Sequence, residues 1–222
     1  HGLRAYRETA RGRFERAQDV SGVGVRPHRT LFDAQHQQFL VVGSGDQSIH
    51  LLENRHGTLV RTLEKRIPEL GTQYCRSITL HQGLLHFVGN EDIVIYRVER
   101  GSVSATGRVI HLPKNYQGSN DIFFLGSRRG IFTSTPQKVF LFSSLDELAN
   151  GTAQDVSAAF RGTPYSVSRF DGRLWIPEIT EYSAIRSYPF GGDCISQASA
   201  QTLFDFGEPD SQSMERKRQI PT

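Results

Sequence analysis

Ile49-His-Leu-Leu52, Ile93-Val-Ile-Tyr96 and Val139-Phe-Leu-Phe142 are short apolar runs that recur along the chain at a nearly fixed interval. Leu3-Arg-Ala-Tyr6 extends the series upstream and Ala184-Ile-Arg-Ser-Tyr188 extends it downstream, so that successive starts lie 46, 44, 46 and 45 residues apart. Runs this short, rich in β-branched and aromatic residues, read as strands buried on both faces. Three further sets share the interval. One follows each run (Arg13-Phe14, Thr58-Leu-Val60, Arg108-Val-Ile110, Ala153-Gln-Asp-Val156, Gln201-Thr-Leu-Phe204). A second precedes it by about ten residues (Phe39-Leu-Val-Val42, Leu84-Leu-His-Phe87, Gly130-Ile-Phe132, Arg173-Leu-Trp-Ile176), and a third begins near His28, Tyr74, Ser119 and Pro164.

Four short strands in a unit of about 45 residues predict the blade of a β-propeller. A lone blade cannot bury both of its faces, and radial packing of blades can. The turn residues agree, with Gln82-Gly83 and Asp171-Gly172 as tight turns and 126–130 as a longer one between the first two strands of a blade. A β-sandwich or an eight-stranded barrel would not explain why strand quartets recur at a constant interval. Residues 28–67, 74–112, 119–160 and 164–206 read as four full blades. Residues 3–20 supply the two outer strands of another. The expectation is an all-β, five-bladed ring forming one domain over 1–222, closed by joining those N-terminal strands to the segment 210–222. A short helix is expected at Leu145-Asp-Glu-Leu-Ala149, capped by Ser143 and Ser144.

The 222-residue composition is that of a globular chain, with 37% hydrophobic and 22% charged residues and a mean hydropathy of −0.42. No apolar run approaches the ~20 residues of a membrane span, so a soluble protein without a membrane partner is expected. Net charge is +3, and Arg supplies 22 of the 26 basic residues. Arginine excess suits phosphate or carboxylate recognition, but the densest basic run, 215–218, lies in a polar tail. No basic stripe interleaved with aromatics is present, so nucleic acid is not an expected partner. Two cysteines, Cys75 and Cys194, make neither a disulfide framework nor a metal-type spacing. The start at His1 is read as processing or trimming, and secreted and cytoplasmic locations stay open.

The innermost strands of a propeller line its channel. Counting back five residues from the first turn of each blade places His28, Arg76, Asp121 and Ser166 at one level, with Pro27, Cys75, Asn120 and Tyr165 one position earlier. Two readings follow for this polar ring. In one it is a site, with Arg76 holding an anionic group, His28 moving a proton, Asp121 orienting His28, and Tyr74, Tyr165 and Tyr182 flanking the ligand. In the other, Arg76 and Asp121 form a buried ion pair that fixes how blades dock. Glu178 and Glu181, in the loop after Trp175, are either a further catalytic carboxylate and its neighbour or solvated loop charges. Cys75, beside Arg76, is either a reactive thiol or a small buried hydrophobe.

Ser119-Asn-Asp-Ile122, followed by Ile131-Phe-Thr-Ser134, resembles a motif of the calcium-dependent propeller hydrolases of the paraoxonase and gluconolactonase type. In that family an Asn in this context coordinates the catalytic calcium, so the resemblance implies Asn120 as a Ca²⁺ ligand. The resemblance covers about sixteen residues.

Two functions are carried forward. One is a small-molecule site at the channel mouth, in its catalytic form a hydrolase, lactonase or isomerase acting on an anionic compound. The other is a non-catalytic binding module, either a protein-interaction scaffold or a lectin-like domain. The connecting loops differ from blade to blade, which favours a single site or a single protein surface over repeated sugar sites.

Overall fold

The computed structural model describes residues 2–134, 138–160, 163–179, 184–191, 194–195 and 201–205. Strands β1 (Gly2–Ala10) and β2 (Arg13–Ser21) form a hairpin. The first four-stranded sheet follows in chain order: β3 (Pro27–Asp33), β4 (Gln38–Gly43), β5 (Ser48–Arg55) and β6 (Thr58–Arg66). The second is β7 (Ser77–His81), β8 (Leu84–Val88), β9 (Asp92–Glu99) and β10 (Ser102–His111). The third is β11 (Ser119–Phe124), β12 (Gly130–Ser134), β13 (Lys138–Phe142) and β14 (Gln154–Asp155), with helix α1 (Leu145–Asn150) between its last two strands. In the fourth, β15 (Thr163–Pro164) and β16 (Ser168–Phe170) both pair with β17 (Arg173–Ile179), which pairs with β18 (Ala184–Gly191). β19 (Cys194–Ile195) and β20 (Gln201–Asp205) then pair with β18. Every pairing is antiparallel. The result is an all-β propeller arrangement in which four blades are seen among the described residues. The segment 210–222, expected to close the ring, lies outside them.

Four of the five recurring runs are the third strands of the blades, the run at Leu3 lying in β1, and their alternation explains why those four are largely continuous. In β9, Val94, Tyr96 and Val98 face the first blade and pack with Leu40, Val42, Ile49 and Leu51. Ile93 and Ile95, on the opposite face, pack with Ile122, Phe132, Phe140 and Phe142 of the third blade. In β13, Phe140 and Phe142 join that core, while Val139 and Leu141 pack with Leu174, Ile176 and Tyr188 of the fourth. In β9 and β13 the apolar neighbours on both sides leave few positions for polar residues; His50 in β5 and Arg186 in β18 are buried polar exceptions. Each fully buried Leu, Ile or Phe contributes about 1.5–3 kcal/mol. The β1–β2 hairpin covers the other face of the first blade, where Val20 and Val23 meet Val41 and Leu52.

Two glutamines stitch neighbouring units by acting as strand rungs. Gln38 donates from Nε2 to the Glu99 carbonyl at 3.0 Å and accepts the Gly101 N–H at 3.0 Å. Gln18 donates to the Leu59 carbonyl at 2.9 Å and accepts the Leu59 N–H at 2.7 Å. The tight turns take the expected form. Gln82-Gly83 and Asp171-Gly172 have positive φ at both residues, as a type I′ turn requires. Helix α1 sits where expected, but its start is held differently. Ser144 makes no side-chain cap, and Glu147 instead accepts the Ser143 N–H at 2.8 Å. Among the described residues no helix is long and apolar enough to cross a membrane.

Gly130 opens β12 where the Phe142 ring crosses it. A Cβ there would lie 2.4 Å from the ring and 2.5 Å from the Phe123 carbonyl oxygen, whereas a Cβ on Gly126 would meet nothing. Gly130→Ala is expected to destabilise by about 1–3 kcal/mol through overpacking, with Gly126→Ala near neutral. Paired thermal melts of the two variants check this.

Candidate functional site

The upstream ends of the inner strands converge at the channel. Both β3 and β11 carry an irregularity there, with register shifts between Pro27 and Arg29 and between Ser119 and Asp121. His28 and Asn120 are therefore the bulged residues of their strands, and Arg29 stands level with Asp121. Counting back from the turns put His28 and Arg76 at this level. The count fails because the hairpins differ in length: residues 34–37 in the first blade, 82–83 in the second and 125–129 in the third.

The expected Arg76–Asp121 pair is thus replaced by Arg29–Asp121, whose Nη1 and Oδ2 are 2.9 Å apart. Asp121 is 1% exposed, and each of its oxygens takes two partners. Oδ1 accepts the Ser77 hydroxyl at 2.6 Å and the Ile122 N–H at 2.9 Å. Oδ2 accepts Arg29 and, at 3.3 Å, the Val167 N–H. Arg29 also donates to Ser77 at 2.8 Å. Burial pushes the Asp121 carboxyl up, and Arg29, Ser77 and the Val167 amide pull it back. This carboxylate joins the inner strands of the first three blades to the Val167 N–H of the fourth. The structure assigns His28 a different contact from the expected one. His28 is exposed, and its Nε2 lies 3.4 Å from the Tyr165 hydroxyl.

Glu178 is equally committed. It is 1% exposed and is hydrogen-bonded by both Arg186 and Tyr188. The notion of a carboxylate open to substrate is therefore corrected to a buried charge paired within its own blade. Cys75 is fully buried, and burial pushes its thiol up to about 12, so it is the small core residue and not the reactive thiol. Tyr182 and Glu181 lie outside the described residues.

Asn120 is 5% exposed, and neither its amide nitrogen nor its oxygen has a hydrogen-bond partner; nearby in the paired strand, the buried Ser134 hydroxyl is also unpartnered. Unsatisfied buried amides call for a polar guest such as water. They do not fit calcium, which needs six to eight oxygens and several anionic ones. The nearest acidic residue in sequence, Asp121, is neutralised by Arg29, and Glu178 by Arg186. Among the described residues no group of three or more His, Cys, Asp or Glu could hold a metal ion.

What remains accessible at this end is a rim drawn from three blades. Arg26 donates to the Tyr74 hydroxyl at 3.1 Å, and that bond pulls the phenol below its ordinary range. The Arg76 guanidinium lies 6.0 Å from the centre of the Tyr74 ring, and its Nε reaches Asn90 at 3.5 Å. His28 and Tyr165 form the other side. Sequence reasoning identified Tyr74, Arg76, His28 and Tyr165 but missed Arg29, Ser77, Arg186 and Tyr188. Lining up the strands on their upstream ends would have exposed the bulges and, with them, Arg29.

No family profile and no curated sequence matches the chain significantly. Its likeness is to solved structures. A protein from Lactobacillus plantarum aligns with a TM-score of 0.61 at 11% identity, over 92% of this chain and 64% of that one. A candidate 6-phosphogluconolactonase from Bacteroides fragilis aligns with a TM-score of 0.60 at 14% identity, over 92% and 63%. The WD40 domain of Neurospora crassa Pan2 aligns with a TM-score of 0.51 at 14% identity, over 78% and 50%. The chain thus spans less than two thirds of each of these structures. At such identities the likeness shows the fold alone.

Two outcomes follow from the buried groups. Asp121→Ala leaves Arg29 without its counter-charge and the Ser77 hydroxyl without its acceptor, and is expected to cost about 3–5 kcal/mol, read as a fall in the denaturation midpoint. His86 is 2% exposed, and burial holds its imidazole down to about 4 from an ordinary 6.5. The unfolded chain therefore takes up this proton near pH 6.5 and the folded one only near 4. Stability is full above that window and declines through it as pH falls, by about 3 kcal/mol in all. Denaturant titrations between pH 7 and pH 4 should show this loss, and His86→Leu should flatten it.

Proposed function

We propose that this chain is a non-catalytic binding propeller that engages a protein partner on its channel-mouth rim. The observation that carries the reading is the state of the two carboxylates. Asp121 and Glu178 are both buried and paired with arginine, so among the described residues neither carboxylate is open to act as a general base. The rim offers exposed Arg26, His28 and Tyr165 and half-buried Tyr74 and Arg76, with half-exposed Val25 beside them. Arginine and tyrosine are the residue types that anchor protein interfaces, and two guanidiniums near one phenol favour a segment bearing acidic side chains. The whole domain, 1–222, would close as five blades, with the β1–β2 hairpin as the outer strands of the fifth and 210–222 contributing to it. Support for that placement comes from the hairpin's docking on the first blade, as a neighbouring blade would dock.

The rival is the lactonase or isomerase, in which Arg76 holds an anionic substrate and His28 moves the proton. Its support is the shared fold with candidate 6-phosphogluconolactonases and the local resemblance around Asn120.

The test has two arms. The purified chain is expected to leave lactone hydrolysis at the uncatalysed rate for 6-phosphogluconolactone, with or without Ca²⁺, and to show no Ca²⁺- or EDTA-dependent melting shift. Hydrolysis above background that disappears in His28→Ala would establish the enzyme reading instead. In the second arm, a glutamate- and tyrosine-containing peptide is titrated by biolayer interferometry. Arg26→Ala and Arg76→Ala are each expected to weaken it by about tenfold, as loss of a charge-assisted contact should, with unchanged melting temperature. Equal binding by the variants would remove the rim from the proposal.

A further inference from the structure

A second concavity lies at the far end of the molecule from the rim, where the second and third blades part beside their first turns. It has a volume of about 380 Å³ and is lined by His81, Leu84, His86, Arg108, Phe124, Arg128 and Leu145, among others. Its inner wall is ring-built. His81 stacks on Phe124 with centroids 4.1 Å apart and planes 4° from parallel, and His86 leans on the same ring at 4.8 Å. His81 is fixed by a 3.0 Å contact between its Nε2 and the Ser127 carbonyl, and His86 by a 3.4 Å contact between Nδ1 and the Thr79 carbonyl. Both imidazoles are thus oriented by backbone acceptors.

The charge is at the mouth. Arg108 comes from β10, and its guanidinium meets Asp146 of α1 at 2.9 Å across the gap between the blades. With side-chain exposures of 50% and 76%, that pair contributes little and is easily exchanged for another anion. Arg128 is exposed on the turn between β11 and β12 and has no carboxylate partner among the described residues. The cleft therefore combines an apolar, ring-lined floor, neutral imidazole and two guanidiniums at one entrance, against a single carboxylate.

We infer that this interblade cleft is a binding site for a small aromatic anion, its ring seated against His81, Leu84 and Leu145 and its carboxylate or phosphate held by Arg108 and Arg128 in place of Asp146. The size suits a one-ring ligand, and cationic fork groups at the mouth suit a planar or tetrahedral anion. The site is separate from the channel-mouth rim and does not depend on what the rim binds.

Phenyl phosphate and benzoate are the probes, titrated by calorimetry and followed by the His81 and His86 ring signals in NMR spectra, with inorganic phosphate as the control. Saturable binding of either aromatic anion is expected, with shifts at both histidines. Arg128→Ala and Arg108→Ala should each weaken it by about tenfold, and Asp146→Asn should tighten it by removing the competing carboxylate. All three positions are solvent-exposed, and melting temperatures close to wild type establish that the variants are folded. The proposal is overturned if neither probe saturates, or if both arginine variants bind as wild type does. It also fails if the histidine signals do not move, or if inorganic phosphate binds as tightly as phenyl phosphate.

Discussion

The carboxylate of Asp121 is the point about which the inner strands are arranged. It sits at the axis, out of water, and its two oxygens take a hydroxyl from the second blade, a guanidinium from the first, a backbone amide from the fourth and one from its own strand. A buried charge is tolerated only when its lone pairs are filled. Filling them here requires the blades to stand at fixed distances around the axis. Apolar packing between blades is non-directional and would permit sliding along the strands. The Asp121 contacts are directional, and they set the height at which the three neighbours meet it. The same contacts occupy both oxygens of Asp121, so that it acts on the fold as a structural pin.

The fold was legible because the strands buried on both faces leave an unmistakable trace. A run such as Ile93-Val-Ile-Tyr96 has no alternation to hide in, and its return at a fixed interval declares a radial stack. Polar positions were harder to place. His28 and Arg29 differ by one residue, yet one is exposed on the rim and the other is at the axis. Which is which depends on a bulge that no composition signal marks and on hairpin lengths that vary between blades. Glu178 failed for a related reason. Its partners, Arg186 and Tyr188, lie across a hairpin, and their approach depends on register. Tyr74, Arg76, His28 and Tyr165 do lie near one another as the sequence suggested, because residues in loops at the channel mouth need only be close and small register errors do not separate them.

The two ends of the molecule differ in shape and in the side chains they present. At the mouth, tyrosine and arginine side chains from separate blades lie on an open surface. At the other end, the cleft between the second and third blades exists because residues 125–129 make a longer turn than residues 82–83. The turn lifts Arg128 over the gap, and the inserted helix α1 brings Asp146 to its far side. A length difference that confused the alignment of the inner strands is the same one that opens the cleft.

Gln38 and Gln18 carry a consequence for how the molecule comes apart. Each reaches one neighbouring unit with both amide atoms, Gln38 also donating to Asp33 of its own blade, so away from the Asp121 pin coupling runs from one unit to the next. A chain of such nearest-neighbour links resembles a zipper more than a sphere. The hairpin at its N-terminal end is mostly exposed along β1 and β2 and meets the first blade through Leu3, Gln18, Val20 and Val23 among others, so it is the tooth that parts first. Its backbone amides should therefore exchange with solvent well ahead of those in the β9 strand, which is locked from both sides.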